Sequence, residues 1–375
     1  MSETAPESKE IRAALSGRKL ILPVLLGVAA AVWLLWSGLD DSVRDPASGQ
    51  TTTTRTLLAT FTWSQRATFA LLGVVACVLV RDLAYIVRIR WLSFGAFSWR
   101  QAFDSIMLWE LASALTPSII GGSAVAILIL RREGMAMGRS VATVFVTAML
   151  DELFYLLLVP VVLLLLLASG GGGSGFFPAV EGLALWGGAP VPVLFWSAYG
   201  LLALLTLMIV MGVLVAPRWT SNLVRRAFQW RLFRRWAAAG QRWADDLVLA
   251  SREMRGAGWR LWVRTMGATV ASWLARFLTL NMILLIFLPT IPHAVVLGRQ
   301  LVMWVVLMIS PTPGSAGFAE VALPAFLGDV VGVGYLAVVA VVWRLATYFP
   351  YLFVGSVVLP GWLRRTSRRG RNGLA

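Results

Sequence analysis

Cysteine and histidine are almost absent: Cys77 and His293 stand alone in a chain of 375 residues. A single cysteine, set in an apolar stretch, excludes an internal disulfide and any cysteine-built metal cluster. A lone histidine after two prolines in a short connection reads as a loop residue, because metal sites need several converging ligands. Neither a metal nor a cofactor is therefore expected. Acidic residues are scarce too, with 18 Asp and Glu against 33 Lys and Arg, a formal charge of +15 carried almost wholly by arginine. Such a charge can signal nucleic acid. Here the arginines sit in connections beside apolar runs, where chain orientation and anionic inner-leaflet lipids explain them and no nucleic-acid partner is implied.

What is abundant is apolar: 58% of residues are hydrophobic, the mean hydropathy is +0.77, and runs such as LFYLLLVPVVLLLLLAS over 153–169 carry no charge. A membrane span needs about 20 mostly apolar residues. Only helices and closed barrels satisfy the backbone in lipid, and these runs are too long for barrel strands. The expectation is an all-α, polytopic membrane protein. The N-terminus MSETAPESKEIRAALSGRK is polar, and the first apolar run, 20–36, shows no small-residue cleavage site after it, so it is expected to stay as a helix.

Candidate membrane segments are 20–38, 67–87, 102–131, 140–168, 193–216, 261–288, 294–327 and 333–360. Arg88, Arg90 and Arg100 precede 102–131, and Arg131, Arg132 and Arg139 follow it. By the positive-inside rule both its ends are cytoplasmic, so it enters and leaves on one side as a re-entrant hairpin. Its bend falls at TPSIIGG, 116–122, where a proline and paired glycines interrupt the apolar run. The loop 169–192, which contains no Lys or Arg, is placed outside and the arginine-rich 217–260 inside. With RRTSRRGR also inside, 294–327 must begin and end outside, giving a second hairpin broken at SPTPGSAGF.

Thr116, Pro117 and Gly121 match Thr312, Pro313 and Gly317. Span, hairpin, span thus occurs twice in opposite orientations, the inverted-topology repeat of many transporters. The expected parts are a tail, first span and external loop (1–66), a first repeat (67–168), a connecting span and basic segment (169–260), a second repeat (261–360) and a basic tail (361–375). Both termini are expected in the cytoplasm, with the protein multi-pass in the cell membrane. The 217–260 segment mixes Trp, Phe and Leu with arginine, which suits a helix lying on the inner leaflet or, alternatively, a solvated connector.

Irregular backbone at membrane depth needs protein or water around it, so breaks mark substrate pathways. Half-helices starting at Gly122 or Ser123, and near Gly317, would point N–H groups at a phosphate. The candidate contacts are Pro117, Ser118, Gly121, Gly122 and Ser123 in one break and Pro313, Gly314, Ser315 and Gly317 in the other. Intramembrane charges add Glu110, Asp151, Glu152, Arg276, Glu320 and Arg344: acids for a cationic portion, arginines for anionic groups. The plainer alternatives are kinks for close helix packing and ion pairs that only hold helices together. Arg81 and Asp82, placed near a span end, are expected to snorkel.

TPSIIGG with LRREG at 130–134, the acidic Asp151-Glu152 helix and PTPGSAGFAE at 311–320 together resemble the lysylphosphatidylglycerol synthase transmembrane (flippase-like) family over roughly 67–360. The resemblance implies moving a lipid with a phosphate-containing headgroup between leaflets. It does not carry over a headgroup preference, because Ser118, Ile119 and Ser315 stand where the family often has Gly, Arg and Gly. Only about fifteen residues follow the last segment, so synthase activity is not implied. The expected function is a flippase for a phospholipid or polyprenyl-linked lipid, with no catalytic constellation. The alternatives are a lipid-linked glycosyl- or phosphotransferase and an accessory subunit of envelope lipid synthesis.

Overall fold

The computed structural model describes residues 29, 32, 33, 36, 42–44, 51–116, 118–168, 175–178, 188–229, 237–308, 312, 315–331 and 335–372. The first expected span, 20–38, lies almost wholly outside them, as do Pro117, Pro313, Gly314, the side chain of Ser118 and the surroundings of Gly121.

The architecture is helical apart from a short antiparallel ribbon, β1 (Ser42–Arg44) with β2 (Thr51–Thr53). Among the described residues, five helices are long and apolar enough to cross a membrane: Gln65–Leu92, Met137–Ala168, Val191–Val215, Trp259–Phe287 and the compound Leu336–Ser367. They expose a lipid-facing side, as with Phe69, Leu72, Leu79 and Leu83 along the first of them. Apolar surface on that scale belongs against lipid rather than water. The chain is an all-α polytopic membrane protein.

After α1 (Thr54–Ala59), α2 (Gln65–Leu92) starts on Ser64, whose Oγ accepts the Ala67 N–H at 3.1 Å. Its 28 residues rise about 42 Å. It pairs along its length with α9 (Trp259–Phe287). Gly73 faces Met282, the Arg81 carbonyl accepts from Ser272 Oγ at 3.3 Å, and Arg88 donates to Thr269 Oγ1 at 2.9 Å. Partner numbers fall as α2 rises, so the two helices are antiparallel.

α3 (Trp99–Leu115) opens on a capping box between Ser98 and Gln101. It packs against α4 (Ser118–Arg132) as a helical hairpin so tight that a Cβ on Gly122 would stand 3.0 Å from the Ser113 Cα. The break is narrower than 116–122: only Thr116 and Pro117 separate the arms, and Gly122 lies inside α4. Pro117 tolerates the start of a helix but not its interior, which ends α3 at Leu115. The expectation of a half-helix beginning at Gly122 or Ser123 is therefore corrected; Gly122 serves close packing.

α5 (Met137–Ala168) carries Pro160 in its interior. Proline offers no N–H to the carbonyl four residues back, and Tyr199 Oη of α6 (Val191–Ile209) donates to that Leu156 carbonyl at 3.0 Å. α6 ends in a π-helical turn, Val210–Val215, leading to α7 (Pro217–Gln229) and α8 (Ala237–Gly256). α8 buries Ala244, Leu247, Ala250 and Met254 with Ala142, Val146 and Leu150 of α5, while α7 exposes Trp219 and Leu223. The connector is thus half packed against the bundle.

α10 (His293–Leu307) and α11 (Phe318–Val331) form the second pair of short helices. The last expected span, 333–360, is not continuous. α12 (Leu336–Thr347) and α13 (Phe349–Asn372) meet at Tyr348, because Pro350 lacks the N–H that the Ala346 carbonyl would accept. α13 runs antiparallel to α3, with Gly355 against Leu111 and Arg365 on Asp104. α10 packs on α5 through Gly298 and Leu166.

Candidate functional site

The first-arm ends of both hairpins and the α12–α13 break converge on one cavity of about 350 Å³. Arg81 and Arg88 from α2, Glu110 from α3, Asp151 and Glu152 from α5, Arg276 from α9 and Arg344 from α12 line it. Each element places its charge by register: Arg81, Tyr85 and Arg88 recur at helical spacing on the α2 face against α9.

Buried charge is costly unless paired. Arg81 donates to Glu110 Oε1 at 2.6 Å and stacks 4.4 Å over the Tyr351 ring. Arg88 grips both Asp151 oxygens, at 2.6 and 3.1 Å, and Trp273 Nε1 donates to Oδ1 of the same carboxylate at 2.8 Å. Arg344 Nε donates to Glu320 Oε1 at 2.7 Å, and Glu320 is 1% exposed. The other Glu320 oxygen accepts the Gly317 N–H at 2.8 Å. Gly317, at φ +83°, therefore opens α11 with its own N–H already occupied, correcting the expectation that it is offered to a phosphate.

Arg276 is held differently. Its contact with Glu110 is 3.8 Å, to an oxygen that Arg81 already holds at 2.6 Å. Its guanidinium lies 4.6 Å over Trp273 and 5.2 Å from the Trp304 centroid, so aromatic faces supply what a carboxylate supplies to the others. Among the described residues, Arg276 Nε and the Nε and Nη1 of Arg81 have no hydrogen-bond acceptor. Thr147 Oγ1 and Tyr155 Oη, also on cavity-lining residues, have no partner there either. Glu152 accepts from Thr206 Oγ1 at 2.7 Å, and no cation among the described residues pairs with it.

Of the residues expected from sequence, Glu110, Ser123, Asp151, Glu152, Arg276, Ser315 and Arg344 line the cavity. Glu320 stands behind Arg344, and Gly122 stands in the α3–α4 contact. The four intramembrane residues Asp151, Glu152, Arg276 and Arg344 do not pair with one another. Arg81 does not snorkel: it is 3% exposed and lies 11 residues before α2 ends at Leu92. Arg88, counted above as a connection residue, is equally buried inside α2. Both were missed, with Tyr85, Tyr348, Tyr351 and Trp304. A sequence signal existed for Arg81 and Arg88, since with Tyr85 they repeat at helical spacing in a continuous apolar pattern.

A wall of stacked arginines, acids and aromatic rings inside a membrane domain can hold an anionic or mixed-charge group out of water. The family model described as the lysylphosphatidylglycerol synthase TM region matches residues 21–355, reaching further toward the N-terminus than the motifs above. No match to a curated protein or to a solved structure was found. With that match covering most of the chain and the cavity at its centre, the chain belongs to the lysylphosphatidylglycerol synthase transmembrane-region family.

Proposed function

We propose that the protein is a lipid flippase, moving a phospholipid or polyprenyl-linked lipid between leaflets by alternating access, without chemical change to the lipid. The observation that carries this reading is Arg276: a cavity arginine whose guanidinium keeps an N–H without an acceptor among the described residues and whose nearest carboxylate is already committed to Arg81. A phosphate is the ligand that such a fork accepts. The phosphate contact shifts from the helix ends at 118–123 and 313–318 to this arginine wall, with Ser123 and Ser315 at its rim. Glu152, with Asp151 and Glu110 near it, faces any cationic portion.

The contact pattern supports an inverted repeat with two re-entrant hairpins. The first helices of the repeats, α2 and α9, pair antiparallel, and the first arm of each hairpin packs on the third element of the other repeat, α3 on α13 and α10 on α5. The charge pattern supports cytoplasmic termini in the cell membrane. Arg90, Arg100, Arg131, Arg132 and Arg139 gather at the end of α2 where Arg365 of α13 also lies. Exposed Arg218 and Arg226 of α7 sit with Trp219, suited to anionic inner-leaflet lipid.

Purified protein in liposomes with headgroup-labelled phospholipids tests the function. Translocation of unmodified lipid is expected, and Arg276→Gln should slow it about tenfold or more, since a charge-assisted hydrogen bond contributes about 1.5–3 kcal/mol. A modified lipid product, or no translocation across a panel of phospholipids and polyprenyl-linked lipids, would overturn it.

A further inference from the structure

Two polar clusters, each built on one buried charge, Glu133 or Arg299, lie away from the cavity, one at the base of each hairpin. At the base of α3–α4, Glu133 has a fully buried carboxylate that accepts from Gln101 Nε2 at 3.0 Å, from Trp362 Nε1 at 2.7 Å and from Arg365. Arg365 also meets Asp104 at 3.0 Å. At the base of α10–α11, Arg299 is 2% exposed. It donates to Asp329 Oδ2 at 2.7 Å, to the Gly175 carbonyl at 3.3 Å and to the Phe326 carbonyl at 3.4 Å.

The clusters share a plan although their residues differ. In each, a polar residue early in the first arm, Gln101 or Arg299, holds an acid at the end of the second arm, Glu133 or Asp329. In each, the third party comes from the other half of the chain: α13 supplies Trp362 and Arg365, and the turn following α5 supplies Gly175. Chain order places them at opposite ends. α3 begins where α2 finishes and α10 begins where α9 finishes, and α2 and α9 are antiparallel. The cavity lies between.

We propose that the two clusters are the alternating gates of the cavity: the Glu133 cluster closes it at the arginine-rich end and the Arg299–Asp329 cluster at the other. Each ties the base of one hairpin to the opposite half, so breaking the tie frees that hairpin to swing while the other stays shut. A buried charge serves such a role well, because Glu133 or Arg299 losing its partner is left uncompensated, which makes the closed and open arrangements discrete. These residues are positioning residues and need not touch the lipid. The inference rests on the transport reading for its purpose, though not for its geometry.

The test uses the full chain with Cys77→Ala and a reporter, Ala148→Cys, on the cavity wall. An impermeant maleimide is applied to sealed vesicles of each orientation, and lipid translocation is measured in parallel. Glu133→Gln should raise labelling about tenfold from the arginine-rich side only, and Asp329→Asn from the opposite side only. Trp362→Phe, which removes a single donor, should give the same side preference as Glu133→Gln should that variant fail to insert. Equal changes from both sides, or none in any folded variant, would overturn the gates. Side-specific labelling without lipid movement would keep the gates and sink the flippase reading; movement with unchanged labelling would do the reverse.

Discussion

Arg81 and Arg276 share one carboxylate, and that sharing sets their different tasks. Arg81 takes Glu110 at 2.6 Å, leaving Arg276 with a 3.8 Å contact and aromatic faces. Glu110→Gln should therefore weaken the fold through Arg81 more than through Arg276, by about 3–5 kcal/mol for a broken buried pair, and detergent-phase thermal unfolding reads it. Gly122 of α4 and Gly317 of the second break separate in the same way. At Gly122 a methyl group meets the Ser113 backbone, and overpacking of this kind costs about 1–3 kcal/mol. At Gly317 a methyl group meets nothing within 4 Å, and only the left-handed backbone at φ +83° resists it, by about 1–2 kcal/mol. Gly122→Ala should loosen the α3–α4 hairpin, and a midpoint unchanged from the parent would remove the close-packing account.

At the scale of elements, prolines decide where helices are interrupted, and neighbours decide what the interruption leaves behind. Pro160 does not break α5, because Tyr199 Oη takes the orphaned Leu156 carbonyl. Tyr199→Phe should destabilise the α5–α6 contact by about 1 kcal/mol and leave lipid transport unchanged. Pro350 does break its helix, and the break falls where Tyr348 lines the cavity. The α12–α13 break thus brings a third interrupted segment to the cavity beside the α3–α4 and α10–α11 pairs. The helix pairs α3–α4 and α10–α11 were legible from TPSIIGG and TPGSAG because proline and glycine are local signals. The α12–α13 break was not, since a proline within an apolar run reads equally as a tolerated kink, as Pro160 demonstrates.

For the whole molecule, the proposed orientation depends on which basic residues count as loop charges. Arg88 does not, being buried against Asp151, yet Arg90, Arg100, Arg131, Arg132 and Arg139 remain at one end of the bundle. Ala96→Cys and Ala136→Cys should label from the same side of the membrane and Ala294→Cys from the other, each being an exposed position between elements or at a helix start. Labelling of Ala96→Cys and Ala136→Cys from opposite sides would sink the re-entrant reading.

Hydropathy and arginine spacing, read along the chain, determined that this protein lives in a membrane, that it is helical, and where most helices run. Those properties depend on transfer of each segment from water and are therefore local. Five of the seven charged residues lining the cavity were also visible, because Glu110, Asp151, Glu152, Arg276 and Arg344 interrupt apolar runs. Which charges meet was decided only by tertiary structure. Arg88 finds Asp151 across 63 positions and Arg365 finds Glu133 across 232. Such pairings follow from helix packing, and a residue that looks like a loop arginine in the sequence becomes a buried partner once the antiparallel α2–α9 pair forms around it.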